Sequence, residues 1–298
     1  MRVLPRIRRI LVAGTVAAAL TVASPLAAHA GTTTRALPAH PRYVALGDSY
    51  TSGPLIPLPR LDPVGCWRST GNYPARVAYA LRAASYTDVS CGGADTTDMT
   101  ASQSVPLGSN PPQFDALRPD TELVTIGIGG NDFGVFGSVI SDCPPLRAGD
   151  PTGNPCQRHF TVDGVDTLRQ KIDQTRVRVA DVVRGVHQRS PQARVLVVGY
   201  PRIAPESGTC PAVLPFADGD YPWLNGIEEY LNGALASASA DAGADFVDTF
   251  PASYGHDACA GTAAWINGQS LSPTAAPYHP NAAGMAGVAA VVVARAGA

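Results

Sequence analysis

Leu-Val-Thr-Ile-Gly-Ile, at Leu123–Ile128, is the stretch on which the fold turns. Its apolar residues follow one another instead of alternating with polar ones, the pattern of a strand covered on both faces. Arg-Val-Leu-Val-Val at Arg194–Val198 reads the same way. Weaker β-like runs occur at Arg42–Leu46, Tyr86–Ser90 and Ala244–Val247. Helix-like segments lie between them, at Tyr73–Ala83, Val165–Arg189, Trp223–Ala242 and Asn281–Ala296. In the second of these, Leu168, Ile172, Val179, Val182, Val183 and Val186 fall on one side. Strands alternating with helices predict an α/β fold, with a parallel five-stranded sheet and helices on both faces. Gly53–Asn72, Ser138–Phe160 and Tyr200–Tyr221 read as long irregular stretches, each carrying cysteine. No linker or internal repeat divides the sequence, so one domain over residues 31–298 is expected.

Composition supports a folded core. Of 298 residues, 45% are apolar and 15% charged, which excludes a disordered polyelectrolyte. Gly and Pro number 30 and 27, consistent with many turns. The first thirty residues stand apart. Arg2, Arg6, Arg8 and Arg9 precede an apolar run from Ile10 to Leu20, and Ala28 and Ala30 place small residues at −3 and −1 of a cut after Ala30. This is the layout of a secretory signal peptide, and the run is shorter than the roughly 20 residues a membrane span needs. Removing residues 1–30 takes four arginines and no acid, leaving 18 basic against 24 acidic residues. A mature chain of formal charge −6 offers no basic face to nucleic acid. No later segment is long and apolar enough to span a bilayer, and a monomer is expected.

Cys66, Cys91, Cys143, Cys156, Cys210 and Cys259 all lie beyond the leader. An even count in an exported chain reads as disulfides. Fifteen connectivities are open, and joining sequence neighbours is the simplest. No Cys-x-x-Cys or His-x-x-His pair suggests zinc, and no cofactor is called for.

Four blocks carry chemistry. Val44–Gly53, Val-Ala-Leu-Gly-Asp-Ser-Tyr-Thr-Ser-Gly, takes a strand through a glycine turn to Ser49. That is the carboxyl edge of the sheet, where ligands of open α/β folds sit, although Ser49 as a plain helix cap is the competing reading. Cys91-Gly92-Gly93-Ala94 allows close approach of a backbone N–H. Ile126–Phe133 ends a second apolar strand at Gly130-Asn131-Asp132, whose Asn131 amide can donate to an oxyanion, or form an Asn-Asp turn. Pro277-Tyr278-His279-Pro280-Asn281 places a candidate general base before the last helix, with Pro280 in its first turn. His40, His159, His187 and His256 sit in less suggestive contexts.

Gly47-Asp48-Ser49-Tyr50, Gly93, Gly130-Asn131-Asp132 and His279, in that order, resemble the SGNH (GDSL) hydrolase family, most closely its secreted actinobacterial lipases and esterases. The resemblance spans nearly the whole mature sequence. It implies a flavodoxin-like three-layer α/β/α sandwich and ester hydrolysis through an acyl-enzyme. By the same resemblance Ser49 is nucleophile and His279 base. The Ser49 N–H, Gly93 N–H and Asn131 amide form the oxyanion hole. It also supports the neighbour disulfides 66–91, 143–156 and 210–259. The sequence departs from the family in its last block: the place of the usual Asp, three residues before the histidine, holds Ala276. A backbone carbonyl at Ala276 or a neighbour is therefore expected to orient His279, with a remote acid such as Asp257 as the alternative. Leu55-Ile56-Pro57-Leu58-Pro59 is a candidate wall for an acyl chain. A small-molecule or lipid ester is the expected substrate. Rival readings are a polysaccharide O-acetylesterase or phospholipase of the same family, or a non-catalytic secreted glycan-binding protein.

Overall fold

All five anticipated strands form, and all pair in parallel. The computed structural model describes residue 1 and residues 36–298. The expected leader, residue 1 apart, lies outside the described residues. The main strands, numbered here β1 to β5, are Arg42–Gly47, Ser85–Asp88, Leu123–Gly127, Arg194–Val198 and Asp245–Val247. Their order across the sheet is β2-β1-β3-β4-β5, which is the flavodoxin-like order. β3 and β4 are buried at every residue, as their unbroken apolar runs require.

Successive residues of a strand face opposite layers, and the two cores divide accordingly. Val44, Leu46, Val124, Ile126, Val195 and Val197 pack on one face. There they meet Ile172, Val179 and Val183 of α5 (Thr167–Arg189) and Leu231 and Leu235 of α6 (Tyr221–Ala242). Tyr43, Ala45, Leu123, Leu196 and Val198 point the other way. Val77 of α2 (Tyr73–Ala80) and Met285, Val288 and Val292 of α7 (Ala282–Ala296) cover them.

The structure differs from the sequence reading in particular places. A helix α3 occupies Val135–Leu146 and another, α4, Pro155–Phe160, within the stretch read as irregular from Ser138. Pro144 and Pro145 in the last turn of α3 hide it, since proline is a poor continuation signal. α4 has no cap of its own: its free N–H groups at Cys156 and Gln157 are taken at 3.0 and 2.9 Å by the carboxylate of Asp220, 63–64 residues away. α5 starts at Thr167 because Asp166 caps it, accepting from Leu168 and Arg169 N–H. α7 starts after Asn281, whose side chain accepts from Gly284 N–H, so Pro280 precedes the cap instead of lying in the first turn. Cys66–Cys91, Cys143–Cys156 and Cys210–Cys259 are bridged, the neighbour pairing. Among the described residues no helix is long and apolar enough to cross a membrane.

Candidate active site

β1 and β3 are adjacent in the sheet but their chains leave it in different directions, and the crevice beyond their carboxyl ends is a topological switch point. Ser49 emerges from β1 there and Asn131 from β3. Gly47 makes the first exit possible. Its φ is +151°, and a Cβ would lie 2.3 Å from Thr51 Oγ1 and 2.5 Å from Gly127 O. Buried Gln113 grips this glycine on both sides, accepting from its N–H at 2.7 Å and donating to its carbonyl at 2.9 Å. The cap of the short helix α1 (Ser49–Ser52) is Asp48, which accepts from Tyr50 N–H at 2.8 Å. Ser49 is thus the first helical residue and not the cap.

Gly93 has φ +77°. The space around it is open, with Gln103 Nε2 3.8 Å from a hypothetical Cβ, so conformation, not crowding, calls for glycine. Its neighbours Gly92 and Ala94 spend their N–H groups on Cys66 O and Cys91 O. The N–H groups of Ser49 and Gly93 have no acceptor among the described residues. Asn131 Nδ2 donates one hydrogen to Ala94 O at 2.9 Å, and the residue lines the same cavity as Ser49 and Gly93. Asp132, fully buried, accepts from Thr96 N–H at 3.2 Å and Thr96 Oγ1 at 2.5 Å, tying the Asn131 turn to the Gly93 turn.

His279 arrives from the opposite wall. Its Nδ1 lies 2.7 Å from the carbonyl of Pro277. A carbonyl only accepts, so Nδ1 carries the hydrogen and Nε2 keeps a free lone pair. The expected carbonyl at Ala276 is displaced by one residue. Ala276 O accepts the His279 N–H at 3.2 Å instead, and a positive φ of 60° at Tyr278 folds the ring back onto Pro277. Asp257, the remote acid weighed as the alternative, accepts from Cys259 N–H at 2.8 Å, while His279 Nδ1 has the Pro277 carbonyl as its partner. Burial lowers the His279 pKa below its ordinary value, opposed by the Pro277 hydrogen bond. His187 meets Gly243 O, His256 meets Ala263 O and stacks on Trp265, and His159 faces Asp142.

Ser49, Gly93, Asn131 and His279 line one cavity of about 620 Å³. Its remaining walls are mainly apolar, from Leu55, Trp67, Val105, Phe136, Ile140 and Ile203. The sequence profile of the GDSL-like lipase/acylhydrolase family matches residues 45–286, which includes all four. The chain belongs to this family.

Its relatives agree. It is 39% identical to "Lipase 2" of Streptomyces coelicolor over 94% of each chain, and 34% identical to "Esterase" of Streptomyces scabiei over 93% and 91%. The solved structure of phospholipase A1 from Streptomyces albidoflavus superposes with a TM-score of 0.70 at 30% identity, covering 87% of this chain and all of that one. The extracellular lipase of Streptomyces rimosus gives 0.70 at 28% identity over 86% and 99%. The chain is a carboxylic ester hydrolase of the GDSL-like family.

Three residues of this GDSL-like site escaped the sequence reading. Tyr200, two residues past β4, donates to Asp48 Oδ2 at 2.5 Å and accepts from Gly130 N–H at 2.8 Å. Burial drives Asp48 up to about 7, against the hydrogen bonds from Tyr200 and Tyr50 N–H that favour its carboxylate. Tyr50 donates to Tyr278 O at 2.6 Å, and its ring lies 5.2 Å from that of His279. Asn267 accounts for the carbonyls of Ala275 and Ala276, at 3.1 and 3.3 Å. Tyr50 stands inside the Gly47–Tyr50 block, though without a role of its own, and Tyr200 lies at the carboxyl edge of a buried strand; Asn267 carried no signal. Of the proposed apolar wall, Leu55 lines the cavity, Ile56 is buried in the α2–α7 core and Leu58 stands in solvent.

Proposed function

We propose that Ser49 is the nucleophile and His279 the general base of an acyl-enzyme mechanism. His279 Nε2 takes the Ser49 hydroxyl proton as Oγ attacks the ester carbonyl. The Ser49 and Gly93 N–H groups and the spare hydrogen of the Asn131 amide receive the resulting oxyanion, a contribution worth about 10²–10³ in rate per donor in other hydrolases. His279 then protonates the leaving alcohol, and water repeats the sequence to free the acid. The Pro277 carbonyl holds the ring tautomer in place of a carboxylate. The observation that carries this reading is the convergence of two unpartnered N–H groups, a half-used amide and a half-buried imidazole, its Nδ1 bonded to Pro277 O, on the cavity beside Ser49.

The apolar walls suit a fatty acyl chain, so esters of lipids are the proposed substrates. Residues 1–30 are proposed to be a cleaved leader and residues 31–298 a secreted, monomeric domain that binds no nucleic acid. Three disulfides fit an oxidising compartment. A fluorophosphonate probe should label the protein on Ser49, and Ser49→Ala should abolish both labelling and ester hydrolysis. An active or labelled Ser49→Ala protein would overturn the assignment.

A further inference from the structure

Of the large apolar side chains exposed among the described residues, Tyr79, Val177, Tyr254 and Leu271 lie far apart in sequence, and Val162 and Val165 pair with each other across a short hairpin. Leu58, Leu61, Val64, Trp67 and Leu107 instead occupy two loops that touch each other. A Cβ on Gly65 of the first loop would lie 2.3 Å from Pro106 O of the second. A Cβ on Gly108 would lie 3.9 Å from Pro63 Cβ. The inner sides of both loops, through Gly65, Trp67, Val105 and Pro106, line the catalytic cavity. Their tips point away from the protein, with Leu61 76% exposed and Leu107 92%.

The tips are held rigidly. Arg60 N–H donates to Arg68 O at 2.7 Å and Thr70 N–H to Leu58 O at 2.9 Å, and Cys66 staples the base of the loop to Cys91. Leu107 closes a two-residue turn between Val105 and Gly108, which pair across the hairpin. With Pro106 before it and φ 63°, it occupies the place where a type II turn calls for glycine or asparagine. Leucine there is unfavourable in backbone conformation, and its side chain stands 92% exposed.

We propose that Leu61 and Leu107, with their apolar neighbours, form a docking surface for a neutral lipid–water interface, seating the cavity mouth on its substrate. This rests on the lipid-ester reading above. Isolated tips that project suit insertion among acyl chains, whereas a protein partner would ask for a broad complementary face of roughly 800 Å². The charges beside the tips are compensated: Arg60 pairs with Asp62 and Asp88, and Arg68 donates to Asp88 O and Asn110. They leave little attraction for anionic headgroups, so a zwitterionic surface is the occupant.

The test uses Ser49→Ala protein co-sedimented with phosphatidylcholine vesicles, so that docking is read without turnover. Adding L61S and L107N should lower the bound fraction constant about tenfold or more. In the active protein the same pair should slow hydrolysis of the vesicles to a similar degree. Its kcat/KM on a soluble short-chain nitrophenyl ester should stay within about twofold. Asparagine accepts positive φ, so L107N alone should keep or raise the Tm, separating docking from folding. Unchanged vesicle binding by the double variant would sink the proposal. So would a dimer of the parent protein that the two substitutions dissolve, since the tips would then serve a second copy. Loss of soluble-ester activity in the parent protein would count against the esterase reading and leave the sedimentation result standing.

Discussion

His279 shows how a backbone carbonyl can do part of a carboxylate's work. Pro277 O fixes which nitrogen bears hydrogen, as an Asp would, but brings no full negative charge to the imidazolium. Burial therefore dominates and lowers the pKa of the ring below 6.5. In the proposed mechanism the base form is the active one, so kcat/KM should rise with pH and reach its plateau with a midpoint on the acid side of 6.5. Asp48, raised to about 7, and Glu228, raised to about 8 and holding the N–H of the cavity residue Ile203, also change charge near neutrality. Asp48→Asn should leave the acidic limb in place if His279 produces it. A pH profile on a soluble ester checks both statements, and a midpoint above 6.5 in the parent protein contradicts the first. Ser49, Gly93, Asn131 and His279, singled out by short linear motifs and by the family resemblance they carry, line one cavity. The orienting carbonyl was legible only to within one residue, since the turn at Tyr278 that selects Pro277 depends on a positive φ that tyrosine does not advertise.

Strands β1, β3 and β4 each end in a loop, and one phenol joins the three. Tyr200 follows β4, its hydroxyl donates to the Asp48 cap after β1, and it accepts from Gly130 N–H after β3. Its ring meets Tyr50 and Phe136 edge-on, at 5.1 Å from each. Tyr200→Phe keeps the ring and removes the links, leaving Gly130 N–H and Asp48 short of a partner at a cost of about 1–3 kcal/mol. Because Gly130 precedes Asn131, the larger effect should fall on kcat, roughly tenfold, with KM nearly unchanged. Steady-state kinetics on a soluble ester read this directly, and a change confined to KM would refute it. Such links explain what the sequence withheld. β4 was legible to the residue because burial on both faces wrote it in apolar side chains. The start of α4 was not, because its cap is Asp220, on a remote segment.

The sheet places four catalytic candidates on loops from four separated stretches of chain, so the fold must hold those loops against one another. The three disulfides do so unequally. Cys91 lies two residues before Gly93, and its bridge to Cys66 ties that turn to the loop whose Gly65 and Trp67 line the cavity. Cys210–Cys259 closes a longer span, 49 residues against 25, without joining any of the three proposed oxyanion donors to the cavity wall. In the chain-entropy view the two closures contribute similar stability, roughly 3–4 kcal/mol each as an upper figure. For a domain of this size that corresponds to a Tm lowered by about 6–16 °C when either pair is replaced by serine. Activity should separate them. Well below the melting range, Cys66→Ser with Cys91→Ser should reduce kcat on a soluble ester several-fold, because the Gly93 N–H loses its fixed position. Cys210→Ser with Cys259→Ser should leave kcat near that of the parent despite a comparable loss of Tm. Thermal melts paired with initial rates at one temperature make the comparison, and equal losses of kcat from the two pairs would show that the bridges act on global stability alone.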